Sequence, residues 1–398
     1  MKAQARQPQR DGSIDALRAV ALFGILAVNL PFLALPGGFA GVDWEKTGPS
    51  LADLLSAGLI QGLFESKFIL IFSALFGFGA WRQMSRHGVG RYSRRLVALG
   101  AFGVAHAALL FEADILLPYA VMGGALLLFR ERSTRIVIAS AVAFWSLAVI
   151  GNGLFGVKMT LDPPSGGGSG ETAHVLATGG YAEIAAVRMR NWASFQTYSL
   201  WSNYPLSLAA MLFGLAAGRL AEREGAGALV DRARRLAFYA LVPAVLGNLL
   251  YCVLASIPST AGGSKLFLLT LALRPLFAPF LSVVLVAVGL TLLKSPKASS
   301  AVALLSPAGG TSMSIYLGFS IVSSVIFYGY GFGLHGEATL SDSLWISAAI
   351  FAAFIAAAHL WRRRFAQGPA EAAMSALTNA AGSGRSGPAS AATPRRSA

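Results

Sequence analysis

His106 and Asp114 are the residues in this sequence best placed to move a proton. His106 lies in the apolar run GAFGVAHAALLF, about one and a half helical turns before that run ends. The chain then turns at once through Glu112-Ala113-Asp114 into ILLPYAVMGGALLLF, which carries Tyr119. So short a turn makes the imidazole and the carboxylate neighbours. A histidine beside a carboxylate is the ordinary general-base arrangement, because the carboxylate fixes the tautomer and stabilises the imidazolium. A lone histidine in an apolar span is also costly to bury and often functional. A structural reading fits the same residues, with Asp114 capping the next helix and His106 bonding across helices.

A second group of polar residues lies in other apolar stretches. Ser13–Leu35 is apolar enough to span a bilayer, yet it carries Asp15, Arg18 and Asn29. At 100° per residue, Arg18 and Asn29 differ by about 20° around the helix axis and Asp15 by about 60° from Arg18. The three form one stripe on a greasy rod, which reads as one wall of a polar cavity. Alternatively, Asp15 serves the positive helix end and Arg18 snorkels to the surface. Arg274 precedes Pro275 about 12 Å inside the eighth apolar stretch, where proline removes a backbone hydrogen bond. It serves either a ligand or an ion pair with an acid on another helix. Lys67 opens the second stretch, and Tyr316 and Ser320 share a helix face in the ninth. If the chain carries out acid–base chemistry, His106 is the base, oriented by Asp114. Asn29, Lys67, Glu112, Tyr119, Arg274 and Tyr316 then bind the substrate.

The elements that hold these residues follow from composition. The chain has 398 residues, of which 55% are hydrophobic and 13% charged, with a mean hydropathy of +0.61. Soluble domains are about 25% charged. An all-α, polytopic membrane bundle is therefore expected, with about ten spans near 14–35, 65–81, 95–111, 114–129, 136–157, 200–218, 236–257, 266–293, 311–330 and 344–361. With the N-terminus in the cytosol, cytosolic segments hold 24 Lys and Arg residues and outer loops 5, so both termini are expected inside. That distribution also accounts for the net charge of +14 without nucleic acid as a partner.

Residues 1–13 read as a cytosolic segment, 14–364 as the bundle and 365–398 as a cytosolic tail, largely disordered from about Ser375. The first span looks retained rather than cleaved as a signal peptide. The single Cys252 excludes an intrachain disulfide and argues against a thiol-based metal site; no metal is expected. The outer loop 37–50 holds Asp43, Trp44 and Glu45, and Leu51–Phe64 reads as a semi-apolar helix along the membrane face. Ser73 and Gly77 form a small-xxx-small pair suited to close helix contact. The long outer segment 158–198 begins with a Gly/Ser-rich run, Pro163 to Gly170. A helix-like stretch follows, Ala182 to Gln196, with Arg188, Arg190 and Trp192; it reads as a lid or a surface helix.

Several segments together resemble the DUF418 (YeiB-like) family of bacterial membrane proteins. They are SIDALRAVALFGILAVN at Ser13–Asn29, KFILIFSALFGFG at Lys67–Gly79 and RYSRRLVALGAFGVAHAALLFEADILLPYAV at Arg91–Val121. FGLAAGR at the end of the sixth span, SMSIYLGFS, and RRFAQGPAEAAMSALT at Arg363–Thr378 extend the likeness along nearly the whole chain. Two segments depart from the family pattern. Ser314-Ile315-Tyr316 and Phe319 stand where the family usually has Thr-Asn-Tyr and Gln, and Glu371 lacks the Trp-x-Trp-Arg that usually follows. The family is similar to transmembrane acyltransferases that include the acyltransferase-3 enzymes and heparan glucosaminide acetyltransferase. That resemblance implies acyl-CoA as donor on the cytosolic side, near Asp15, Arg18, Arg91, Arg94 and Arg95. It also implies an envelope glycan, lipid or small molecule as acceptor across the bacterial inner membrane. A transporter or exporter of an envelope metabolite or lipid is the alternative, suited by intramembrane charges and a Pro-broken helix. A non-catalytic membrane scaffold is the third.

Overall fold

The computed structural model describes residues 11–38, 50–161, 169–255 and 265–383. Among them every regular element is helical. Residues 1–10, the loop residues Asp43, Trp44 and Glu45, most of the run from Pro163, and the tail beyond Ser383 lie outside the described residues.

In chain order the helices are α1 (Gly12–Ala34), α2 (Leu51–Gly58, continued by a π-helical stretch Leu59–Phe64), α3 (Lys67–Leu109) and α4 (Leu116–Ala125, continued by a 3-10 turn Leu126–Phe129). There follow α5 (Thr134–Leu161), α6 (Ser169–Thr178), α7 (Tyr181–Trp201), α8 (Asn203–Val242, with π-helical Pro243–Gly247), α9 (Asn248–Ala255) and α10 (Lys265–Leu293). The last four are α11 (Ser299–Gly310), α12 (Ser312–Phe327), α13 (Leu340–Arg362) and α14 (Pro369–Ser383).

Six helical stretches among the described residues are long and apolar enough to cross a membrane. A seventh is added if α11 and α12, bent by 73°, count as one. The chain is a multi-pass membrane bundle. The sequence reading counts more spans because it divides two of these stretches. Leu51–Leu109 is 59 residues long and Asn203–Ala255 is 53. A straight helix of either length would reach about 80 Å, against a hydrocarbon core of about 30 Å. The left-handed backbone of Gly88 (φ 77°) and Gly225 (φ 87°) interrupts each. At Gly88 the chain folds back, since Arg95 donates to Gln83 at 2.5 Å and both Phe76 and Leu96 abut Gly123. The stretch Leu116–Phe129 is simply shorter.

α1 is the rod around which the bundle closes. Of its apolar window 67% is buried, against 22–44% for the other long stretches. It packs on α3, α11, α12 and α13. The other close contact is α3 on α8, where Gly77 and Gly214 let backbones touch. A Cβ on Gly77 would sit 1.9 Å from the Met211 carbonyl oxygen, and one on Gly214 would sit 1.9 Å from that of Ala74. Gly77→Ala is expected to lower the thermal midpoint of the purified protein by overpacking, a loss of about 1–3 kcal/mol. An unchanged midpoint would contradict this crossing.

The C-terminal segment departs from the expected disorder. α14 runs to Ser383, and its Glu371 carboxylate accepts from the backbone N–H groups of Met313 (2.8 Å) and Ser314 (3.2 Å) and from Ser314 Oγ (2.5 Å). It therefore caps the start of α12, whose first amides have no helical partner. Arg94 adds a bond to the Thr378 carbonyl and Met374 is buried in the core, contacts that the Ala-rich composition hides.

Candidate functional site

The tight turn between α3 and α4 does what its length requires. His106 Nδ1 and Asp114 Oδ1 are 2.8 Å apart, and both residues are buried. The other Asp114 oxygen accepts from the Leu117 backbone N–H at 2.8 Å. Asp114 is thus both a helix-start acceptor and the histidine's partner; the two readings of this residue coexist. His106 Nε2 lies 2.9 Å from Ser320 Oγ, which α12 presents from 214 residues along the chain. The result is a buried Ser320–His106–Asp114 chain of hydrogen bonds. The Tyr316 ring lies 5.0 Å from the imidazole, and its hydroxyl is buried.

Asp114 also forms part of the wall of an internal cavity of about 170 Å³. Its lining includes Asn29 from α1, Glu65 and Ser66 from the break before α3, Tyr119 from α4, Tyr204 from α8 and Arg274 from α10. α7 contributes Phe195 and Ser199, so this helix closes the cavity as a lid would. The space is large enough for a few waters or a small ligand group. It lies in the half of the bundle away from the arginine-rich turns, because its α1 lining runs from Gly24 to Phe32. His106 does not line it; the imidazole sits behind its carboxylate.

Across the cavity lining, Arg274 is held in a polar network. Its Nη1 donates to Glu65 Oε1 at 2.9 Å; its Nη2 donates to Asn152 Oδ1 at 3.0 Å and to the Tyr198 hydroxyl oxygen at 2.7 Å. Tyr251 donates its hydroxyl proton to the second Glu65 oxygen. Arg274 therefore has both the ion pair and the cavity position that the sequence left as alternatives. Ser66, beside Glu65, holds φ 65°, a left-handed conformation that a non-glycine residue adopts at some energetic cost.

The other expected site residues distribute as follows. Asn29 and Tyr119 reach the cavity, and Tyr119 also shares a 2.5 Å hydrogen bond with Ser73. Lys67 does not reach it: the fully buried ammonium donates to the Gln61 carbonyl at 2.7 Å and lies over the Tyr251 ring. Glu112 faces Arg188 and Tyr328 rather than the cavity, and burial raises its carboxyl above the usual carboxylate range while Arg188 opposes that rise. Arg188 is itself buried, donates to the Leu110 carbonyl at 2.8 Å and so ties α7 to the His106 turn. Asp15 and Arg18 pair with each other at 2.5 Å. Arg94 donates to the Thr378 carbonyl and Arg95 to Gln83, while Arg91 is exposed; none of the three lines the cavity.

Sequence reasoning missed Glu65 as a site residue, Ser320 as the second partner of His106, and the Asn152–Tyr198–Tyr251 set. The adjacency of Glu65 to Ser66 and Lys67 was a signal, since two charges at the mouth of an apolar span need partners. Nothing local marks Asn152, Tyr198 or Tyr251.

Comparison with known proteins agrees with the resemblance. The family described as "Protein of unknown function (DUF418)" matches residues 225–381. The chain is similar to the Bacillus subtilis (strain 168) protein described as "Uncharacterized protein YxaH", with 29% identity over 391 residues, covering 91% of this chain and 92% of that one. It is also similar to the Escherichia coli (strain K12) "Uncharacterized protein YeiB", with 29% identity over 116 residues, 29% of this chain and 30% of that one. The resemblance to the DUF418, YeiB-like family is borne out by these matches; they carry no link to acyltransferases.

Proposed function

We propose that this DUF418-like membrane protein is an acyltransferase of the bacterial inner membrane, taking an acyl group, in the simplest case acetyl, from cytosolic acyl-CoA to an acceptor on the envelope side. The observation that supports this reading is the placement of Asp114: one carboxylate both lines a partly open cavity and hydrogen-bonds a buried histidine. Acyl transfer to a hydroxyl or amine needs a group that takes the acceptor's proton and a donor for the developing oxyanion.

In this reading the acceptor's O–H or N–H lies against Asp114 and gives its proton to the Asp114–His106 pair. The acceptor atom forms the new bond to the acyl carbon and the thioester C–S bond breaks. The pair then returns its proton to the leaving thiolate. Arg274 and Asn29 are two of the cavity groups able to donate to the oxyanion. His106 acts through Asp114 and is a positioning and proton-sharing residue; Ser320 holds its far nitrogen.

The test uses the purified full-length protein in lipid nanodiscs with acetyl-CoA labelled in the acyl group and a panel of hydroxyl and amine acceptors. Transfer of label is expected with the unaltered protein and is expected to be lost in Asp114→Asn. Undiminished transfer by Asp114→Asn would overturn the assignment.

A transport reading has one observation in its favour: the left-handed break at Ser66 beside the Glu65–Arg274 pair is a discontinuous helix at a cavity, as transporters build. It predicts uptake or exchange of a solute by proteoliposomes with no consumption of the thioester.

A further inference from the structure

At the arginine-rich end of the bundle there is a second, larger concavity, an open groove of about 570 Å³. It lies between Trp81 on α3, the turn that follows Phe129, the first residues of α5, and Arg219 and Arg223 on α8. Sequence reasoning placed these arginines with the topology signal only.

Arg219 anchors the groove. It is 5% exposed and its guanidinium lies over the Trp81 ring at 4.7 Å. Nη1 donates to the Arg132 carbonyl at 2.6 Å, and Nη2 to those of Phe129 and Arg130 at 2.5 and 2.9 Å. These acceptors are backbone dipoles at the end of the 3-10 turn, not carboxylates. They satisfy hydrogen bonds but leave the cation's net charge in place. The buried Nε has no hydrogen-bond partner.

Most of the lining adds to this charge; the acid nearest Arg219 on its own helix, Glu222, is engaged by the Trp81 indole N–H at 2.6 Å and is not among the lining residues. Arg223 follows one turn along the same helix face, and Arg130, Arg132 and Arg135 line the groove from exposed positions. Among the lining residues the acid is Glu131. It lies 3.8 Å from Arg130 with its side chain 86% exposed, where a pair is weak. The hydroxyl residues Ser133 and Thr134 complete the lining, at the positive end of α5. Guanidinium forks, hydroxyls and a helix start converging on one concavity make an anion seat. Their number suits several phosphoryl oxygens better than one carboxylate.

We propose that this groove seats a phosphate-bearing ligand, which is either the phosphate end of a soluble molecule or the headgroup of an anionic lipid. The proposal stands without the acyl-transfer reading, since it uses none of the residues around His106. Were both to hold, the groove and the cavity would be linked by α4, whose Met122 lines the cavity and whose end leads into Arg130, about 12 Å of helix rise apart.

The experiment is thermal unfolding of the full-length protein in two kinds of nanodisc, purely zwitterionic and containing phosphatidylglycerol, each with and without inorganic pyrophosphate, against sodium chloride at matched ionic strength. Pyrophosphate stabilisation in zwitterionic discs identifies the soluble source; stabilisation by phosphatidylglycerol alone identifies the lipid. In either case the Arg132→Gln/Arg135→Gln double variant is expected to weaken the response at least about tenfold in the concentration required. Both side chains are exposed, so the fold has no need of them. The Arg132→Lys/Arg135→Lys variant is expected to keep part of the response, because charge remains without the fork. His106→Ala is expected to keep all of it. Stabilisation no greater than sodium chloride gives, or an equal response from the Gln double variant, would overturn the proposal.

Discussion

Replacing His106 with Ala is expected to cut acyl transfer by about 10²–10⁴-fold, the usual range for loss of general acid–base assistance. The imidazole fills a site closed on both sides: Asp114 at 2.8 Å on Nδ1 and Ser320 at 2.9 Å on Nε2. Its removal leaves Asp114, 1% exposed, with the Leu117 amide as its remaining hydrogen-bond donor. A buried carboxylate short of a partner is costly, and without the imidazole no second group shares the proton it takes up. Part of the effect will fall on stability, so the thermal midpoint must be measured beside the rate. His106→Asn separates the two, because an amide can still bond Asp114 but cannot share its proton. His106→Asn is expected to keep its midpoint and lose turnover. Undiminished turnover in that variant would assign His106 to packing alone.

Arg274→Ala is expected to have the largest effect on stability, a loss of about 3–5 kcal/mol in chemical or thermal unfolding. The guanidinium joins Glu65, Asn152 and Tyr198, while Tyr251 closes the network on the far side of Glu65. The ion-paired side chains are only 15% and 22% exposed. Removing the cation alone strands a largely buried carboxylate, which costs far more than the pair itself contributes. Arg274→Met combined with Glu65→Gln is therefore expected to recover much of the loss that Arg274→Ala alone causes, through the non-additivity of coupled sites. Equal destabilisation by the single and double variants would contradict the network.

The parts of this fold legible in the sequence were those set by short range. Asp114 follows His106 by eight positions, the last three of them the turn Glu112-Ala113-Asp114, so their contact followed from chain length. The apolar stretches followed from hydropathy, and the Ser73–Gly77 spacing called for a close helix contact without naming the partner, which for Gly77 is α8. What was hidden depends on tertiary placement. Glu65 meets Arg274 across 209 residues and His106 meets Ser320 across 214. No periodicity within one helix encodes such a partner. Lys67 misled for a local reason: at the first position of α3 its side chain reaches back to the π-helical stretch and bonds the Gln61 carbonyl. Composition misled at α14, where one acid, Glu371, ties an otherwise bland Ala-rich segment to α12.

The most direct test of the central claim is a structure of the full-length protein in nanodiscs with a non-hydrolysable acyl thioester analogue. The account predicts the acyl carbonyl inside the 170 Å³ cavity, within hydrogen-bond reach of Arg274 or Asn29 and beside Asp114. An acyl group bound elsewhere, with a lipid tail filling that cavity, would contradict it.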